Sequence, residues 1–113
     1  LIDESVLKKM KSTAYLINTA RGAIVDENAL IQALQKGHIA GAGLDAFEWE
    51  PPKPNNPLLK MSNVVLSAHV GHFSDASMER RPKRFGEEIA RVLLGKTPIN
   101  LVNTEVKNKL QLK

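Results

Sequence analysis

The sequence has 113 residues, of which 42% are hydrophobic and 25% charged, and it contains no cysteine. The absence of cysteine excludes disulfides and thiol catalysis, and no apolar stretch approaches the ~20 residues that a membrane-spanning helix needs. The formal net charge is +4, but aromatic residues are few and the basic run at 79–84 is typical of a solvated helix face. We therefore expect a soluble, cytoplasmic protein that binds neither nucleic acid nor a membrane.

Apolar periodicity and capping residues divide the chain into alternating helices and strands. Asp3 can cap a short helix over Glu4–Lys11, and Asp26 can cap a second helix over Glu27–Lys36, which Gly37 can end in a left-handed turn. The short apolar runs predict three buried strands, at Ala14–Asn18, Ile39–Asp45 and Val64–Ser67. This alternation predicts an α/β fold with a parallel sheet and right-handed crossovers.

Further segments flank the third strand. A loop rich in Pro and Asn, Phe47–Asn63, precedes it, and a helical pattern from Ser74 to Leu94 follows it. Pro82 inside that pattern predicts a kink or a restart, and Gly95 ends the helix. Three strands with two crossovers make only half of a doubly wound sheet, so we expect a C-terminal piece of a longer protein.

Three ionisable residues each follow a predicted strand end: Arg21, Glu50 and His69. Ligands of open parallel sheets bind outside the carboxyl ends of the strands, so these side chains should converge on one crevice. A guanidinium, a carboxylate and an imidazole together form a proton-transfer site for a small anionic substrate. Each residue also has an ordinary alternative: Arg21 could cap a turn, Glu50 could be a solvated acid, and His69 could satisfy a buried carbonyl.

Three separated motifs closely resemble those of the NAD-dependent D-isomer-specific 2-hydroxyacid dehydrogenases, which include phosphoglycerate dehydrogenases. They are NTARGAIVD at Asn18–Asp26, GAGLDAFEWEPP at Gly41–Pro52 and HVG at His69–Gly71. The resemblance runs from Leu1 to about Asn103 in unbroken order. It implies the C-terminal half of a Rossmann-type doubly wound sheet, with residues 1–95 in the NAD-binding domain and residues 96–113 as a tail that returns towards the missing substrate domain.

The resemblance also implies an activity, the interconversion of a 2-keto acid and a D-2-hydroxy acid with NAD. Arg21 would grip the substrate carboxylate and polarise its carbonyl, and His69 would exchange a proton with the carbonyl oxygen. Glu50 would favour the protonated imidazole and fix its orientation. The full-length protein is expected to be a homodimer, and no metal site is expected.

The nicotinamide end of the cofactor site is the part that the resemblance places in this chain. It comprises Thr19, Ala20 and Arg21, then Asp45, and then His69, Val70, Gly71 and His72. Asp45 would meet the carboxamide or the ring, although it could also be a plain strand-end cap. The family's glycine-rich loop and ribose-binding acid lie upstream, so we expect this chain alone neither to bind NAD tightly nor to turn over substrate.

Two departures from the family pattern leave the subfamily and the substrate open. Many members have Thr-Pro before the histidine, where this chain has Ser67 and Ala68. The segment FSDAS at Phe73–Ser77 resembles the version found near the C-terminal-binding-protein corepressors and their bacterial dehydrogenase relatives. A corepressor-like protein that senses NAD(H) keeps the same three ionisable residues and is therefore an alternative, as is a catalytically inactive fragment.

Overall fold

The computed structural model describes residues 1–107 and 109, and the chain divides into two compact units, Leu1–Gly71 and His72–Lys113. The first unit holds a three-stranded parallel sheet in the order β1-β2-β3. Its elements in chain order are α1 (Glu4–Leu7), β1 (Tyr15–Asn18), α2 (Glu27–Gln35), β2 (Gly41–Leu44) and β3 (Val64–Leu66). The predicted parallel α/β fold is confirmed.

The apolar face of α2 builds the core of this unit. Asp26 caps the helix by accepting a hydrogen bond from the backbone N–H of Ala29 (3.0 Å), and Gly37 follows its end with a φ of 67°. Both features were predicted. The core cluster contains Leu7, Val25, Ala29, Leu30, Ala33, Leu34, Ile39, Ala42, Leu44 and Leu58. Burial of a leucine such as Leu30 stabilises the fold by about 2 kcal/mol.

The opposite face of the sheet is exposed. Tyr15, Ile17 and Val65 are 68%, 65% and 75% exposed, and the strand register places Gly43 beside Ile17 and Val65. The strands predicted as buried are therefore buried on one side only, in the residues that the structure describes. An exposed apolar face is what half of a doubly wound sheet should present, because parallel sheets are ordinarily covered on both sides.

Several predicted boundaries are wrong by a few residues. Helix α1 ends at Leu7 rather than Lys11, because the next backbone bonds are tighter turns, from Lys9 N–H to the Val6 carbonyl and from Met10 N–H to the Leu7 carbonyl. Strand β2 begins at Gly41 rather than Ile39, where its pairing with Tyr15 of β1 starts.

The connecting segments contain two short 3-10 helices that were not predicted from the sequence. One spans Gly22–Ile24 and the other spans Pro57–Lys60 within the predicted loop. Asn56 caps the second by accepting a hydrogen bond from the backbone N–H of Leu58 (3.0 Å). A proline at the first helical position suits this start, because its missing N–H has no partner there.

The second unit is built on one long helix, α3 (Asp75–Leu93), with Ser74 in a capping box. Pro82 lies inside the helix, which continues without the predicted restart. The carboxylate of Glu88 accepts hydrogen bonds from the backbone N–H groups of Ile99 and Asn100 and so holds the start of the tail. A 3-10 helix at Thr104–Lys107 follows, and the end of the predicted tail lies outside the described residues. No helix within the described part is both long and apolar enough to cross a membrane.

Candidate active site

The turn after β1 holds Arg21, and the buried side chain of Asn18 shapes it. The Asn18 amide donates a hydrogen bond to the Arg21 carbonyl (3.0 Å) and its Oδ1 accepts one from the Ala20 N–H (3.1 Å). The guanidinium is exposed, and its Nη1 donates to the Ala20 carbonyl (2.7 Å). The Arg21 side chain therefore extends from a turn that Asn18 holds in place, and part of its guanidinium is open to solvent.

The loop after β2 carries Glu50 and packs directly against the Arg21 turn. A Cβ added at Gly22 would overlap the backbone of Phe47 and Glu48, so this approach requires glycine. The backbone N–H of Phe47 donates to Oε1 of Glu50 (3.1 Å). Glu27, at the start of α2, steadies the same loop by accepting a hydrogen bond from the Glu48 N–H (3.3 Å).

His69 lies between Arg21 and Glu50. Its Nδ1 is 2.7 Å from Oε2 of Glu50, and its Nε2 is 3.4 Å from Nη1 of Arg21. A guanidinium can only donate, so this contact requires the lone pair on Nε2 and places the ring proton on Nδ1, where it is donated to Glu50. The structure therefore joins the three predicted residues in one chain of polar contacts.

Glu50 is held as a carboxylate. The hydrogen bond from His69, followed by that from the Phe47 N–H, lowers the pKa of Glu50 below its ordinary value. Glu50 is partly open to solvent, with 40% of its side chain exposed. Its negative charge is thus present next to Nδ1 of the imidazole throughout the neutral pH range.

Asp45 directly follows β2 and is buried, at 4% exposed, and its carboxylate binds the turn containing His69. Its Oδ1 accepts hydrogen bonds from the Ser67 hydroxyl (2.5 Å) and the Val70 N–H (2.9 Å), and its Oδ2 accepts one from the Gly71 N–H (2.8 Å). The Ser67 hydroxyl and then the Gly71 N–H are the largest causes of a lowered pKa of Asp45. The strand-end role that the sequence left open is therefore present.

The other residues predicted to face the nicotinamide lie around this carboxylate. Thr19 and Ala20 are exposed after β1, and a Cβ added at Gly71 would lie 2.9 Å from Oδ2 of Asp45 and 3.6 Å from the Cβ of Thr19. The turns after β1 and β3 thus meet over the end of β2. Oδ2 of Asp45 has one hydrogen bond here and can accept a second from a carboxamide. These residues fit the nicotinamide end of the cofactor.

His72, also predicted for the cofactor site, begins the second unit. Its ring lies against that of Phe73, with the ring centroids 4.4 Å apart, and its carbonyl accepts a hydrogen bond from the Ser77 hydroxyl. These contacts describe its place in that unit, and its role at the cofactor site stays a prediction.

A cleft of about 490 Å³ borders the Glu50–His69 pair in the first unit. Its walls are largely apolar, and they are formed by Asp45, Phe47, Glu50, Pro51, Pro52, Leu59, Leu66, Ser67, Ala68 and His69. Among the described residues, no three His, Asp or Glu side chains are grouped to hold a metal ion. The cleft thus borders an imidazole paired with a carboxylate, and the imidazole also contacts a guanidinium.

Two side chains that shape this site were not predicted as site residues. Asn18 fixes the turn of Arg21, and Ser67 donates to Asp45. A signal for Asn18 existed, because a polar residue at the end of an apolar strand run is a common turn former. Ser67 gave no comparable signal, since its partner Asp45 follows a different strand and lies 22 residues away in the sequence.

The chain was compared with known proteins. A model of the D-isomer specific 2-hydroxyacid dehydrogenase family, NAD binding domain, matches residues 1–71. A glyoxylate reductase from Thermofilum pendens is 51% identical over 106 residues, which cover 94% of this chain and 31% of that protein. The chain thus spans about a third of the length of this curated relative.

Solved structures agree with that match. A D-isomer specific 2-hydroxyacid dehydrogenase from Xanthobacter autotrophicus Py2, in complex with NADPH and MES, superimposes with a TM-score of 0.81 at 38% identity, covering 91% of this chain and 42% of that one. A glyoxylate reductase from Paecilomyes thermophila gives a TM-score of 0.83 at 30% identity, covering 93% and 32%. With the family's NAD-binding model matched over more than half of its length, the chain belongs to the D-isomer specific 2-hydroxyacid dehydrogenases.

Proposed function

We propose that the full-length protein reduces a small 2-oxo acid, glyoxylate among the candidates, to the corresponding 2-hydroxy acid with NADH or NADPH, and that the product has the D configuration wherever it is chiral. The contact chain from Arg21 through His69 to Glu50, at 3.4 and 2.7 Å, carries this proposal. It brings a guanidinium, an imidazole and a carboxylate together at one sheet edge. The glyoxylate reductase relatives and the NADPH-bound structural neighbour support the same reaction.

Arg21 and His69 define where the substrate oxygen would be bound. When the imidazole is doubly protonated, Nε2–H and the Arg21 Nη1–H both point into the 3.4 Å gap between them. Two donors facing each other repel, and a carbonyl oxygen placed beside the gap accepts from both. The remaining donors of the guanidinium fork are then free to bind the substrate carboxylate.

The source of the proton in the proposed reaction follows from this geometry. The reduced nicotinamide, when bound, supplies the hydride that forms the new C–H bond at the carbonyl carbon. As the C=O double bond becomes single, the oxygen takes the proton from Nε2 of His69, leaving a neutral ring whose Nδ1–H is donated to Glu50. With that proton gone, the lone pair on Nε2 can accept the Arg21 Nη1–H across the 3.4 Å gap. Glu50 stabilises the charged ring before transfer and keeps Nε2 directed at the oxygen.

The proposal is tested by assaying the purified full-length protein for oxidation of NADH and of NADPH with a series of 2-keto acids. We expect turnover with at least one small 2-keto acid, and a D-configured product wherever the product is chiral. Binding of the reduced cofactor without turnover of any 2-keto acid would contradict the proposal, and would favour a protein that senses NAD(H).

A further inference from the structure

The turn that carries His69 is attached to the end of β2 by the Asp45 carboxylate and by a backbone hydrogen bond from the Ser67 N–H to the Leu44 carbonyl (3.0 Å). Asp45 accepts from the Ser67 hydroxyl on one side of His69, and from the Val70 and Gly71 N–H groups on the other. Asp45 therefore binds the chain on both sides of His69. Hydrogen bonds on both sides limit how far the backbone of residue 69 can rotate.

The backbone of His69 requires such support. Its φ is 54°, in the left-handed region that a residue with a Cβ adopts at a cost. The residue before it is Ala68, which lacks the ring by which a proline restricts the chain. The bonds to Asp45, together with the backbone bond from Ser67 to Leu44, hold the turn in the conformation that joins Nδ1 of His69 to Glu50.

We propose that Ser67 is a positioning residue for His69. Its hydroxyl, acting through Asp45, fixes the turn so that Nδ1 faces Glu50 and Nε2 faces the substrate oxygen. This inference rests on the proposed role of His69 as the proton donor. Ser67 lines the cleft beside His69, and its hydroxyl is donated to Asp45.

Of the three hydrogen-bond donors to Asp45, Ser67 is the one that can be tested by substitution. The other two donors are backbone N–H groups, which every residue except proline supplies. Substituting Asp45 would remove all three bonds together and alter the predicted nicotinamide contact as well. Ser67 is exposed as a residue, so loss of its hydroxyl removes one hydrogen bond and little packing.

The experiment compares Ser67→Ala and Ser67→Thr in the full-length enzyme, because threonine retains the hydroxyl. The matched control is Ser62→Ala, an exposed serine before β3, at the opposite end of that strand. For Ser67→Ala we expect kcat for keto-acid reduction to fall about 10-fold while KM changes by less than about twofold, because the proton donor is misplaced and Arg21 is not. Ser67→Thr should restore kcat, and Ser62→Ala should match the wild type.

A second measurement does not depend on turnover. Nitrogen-15 spectra of labelled histidine in the full-length protein should show the neutral His69 ring as one Nδ1–H tautomer in the wild type and in Ser67→Thr. Ser67→Ala should show a mixture of tautomers. If Ser67→Ala fails to fold, Ser67→Cys replaces it, because a thiol has a similar shape and is a weaker donor. The kinetic and spectroscopic measurements stay the same.

The outcomes separate this inference from the proposed function. A wild-type protein that turns over no keto acid removes the proposed function, and the spectra then decide whether Ser67 orients the ring. An active wild type with a Ser67→Ala variant that matches Ser62→Ala in kcat and in ring tautomer overturns the positioning role and leaves the function intact. Equal losses in the Ala and Thr variants would also overturn it.

Discussion

Replacing His69 by asparagine in the full-length protein is expected to lower the rate of keto-acid reduction by about 10²- to 10⁴-fold, the usual contribution of a general acid. An amide cannot release a proton to the carbonyl oxygen. Asparagine suits this position because, among residues with a Cβ, it adopts the left-handed backbone at φ 54° comparatively readily. The turn should therefore survive, and steady-state kinetics should show the loss in kcat with little change in KM.

His38→Asn is the matched control for this variant. His38 is exposed and precedes β2, so it lies at the amino end of the strands, away from the predicted site. Its substitution should leave kcat unchanged. A His69→Asn enzyme that reduces the keto acid as fast as the His38→Asn enzyme would show that the imidazole is not the proton donor.

Replacing Arg21 by lysine is expected to raise KM for the keto acid by about 10²-fold, although the charge is kept. In the structure Nη1 is already engaged by the Ala20 carbonyl and lies near His69, so the other nitrogens of the guanidinium are the ones left to bind a carboxylate. A lysine ammonium has one nitrogen for all of these partners. Initial-rate measurements over a range of keto-acid concentrations give KM directly.

The matched control for this prediction is Arg84→Lys, an exposed arginine on α3. It makes the same change of side chain and should leave KM at the wild-type value. Equal KM values for the Arg21→Lys and Arg84→Lys enzymes would remove Arg21 from substrate binding.

Much of the fold can be predicted from local sequence. Helix α2 begins after Asp26 because that side-chain oxygen caps the helix, and it ends before Gly37 because a residue without a Cβ readily adopts the left-handed conformation. The parallel order of the strands follows from alternation with helices. The 3-10 helix at Pro57–Lys60 was not predicted, because a single turn has too few residues to show an apolar period.

The ionisable residues of the site could be predicted from the sequence, but the contacts that hold them in place could not. Arg21, Glu50 and His69 each follow a strand, so the parallel topology alone brings them to one edge. The bond from Ser67 to Asp45 depends on the register of two strands, and the need for glycine at position 22 depends on a loop 25 residues later. Such contacts arise from tertiary packing, on which the local pattern carries no information.

The pH dependence of keto-acid reduction, measured for the full-length wild type and for Glu50→Gln, tests the paired roles of Glu50 and His69 most directly. Reduction requires the protonated imidazole, and the lowered pKa of Glu50 keeps a negative charge beside it. Glutamine removes that charge, so the pH at which the rate declines should move down. Glu48→Gln, an exposed acid in the same loop, should keep the wild-type profile. Superimposable profiles for the wild type and Glu50→Gln would contradict the account.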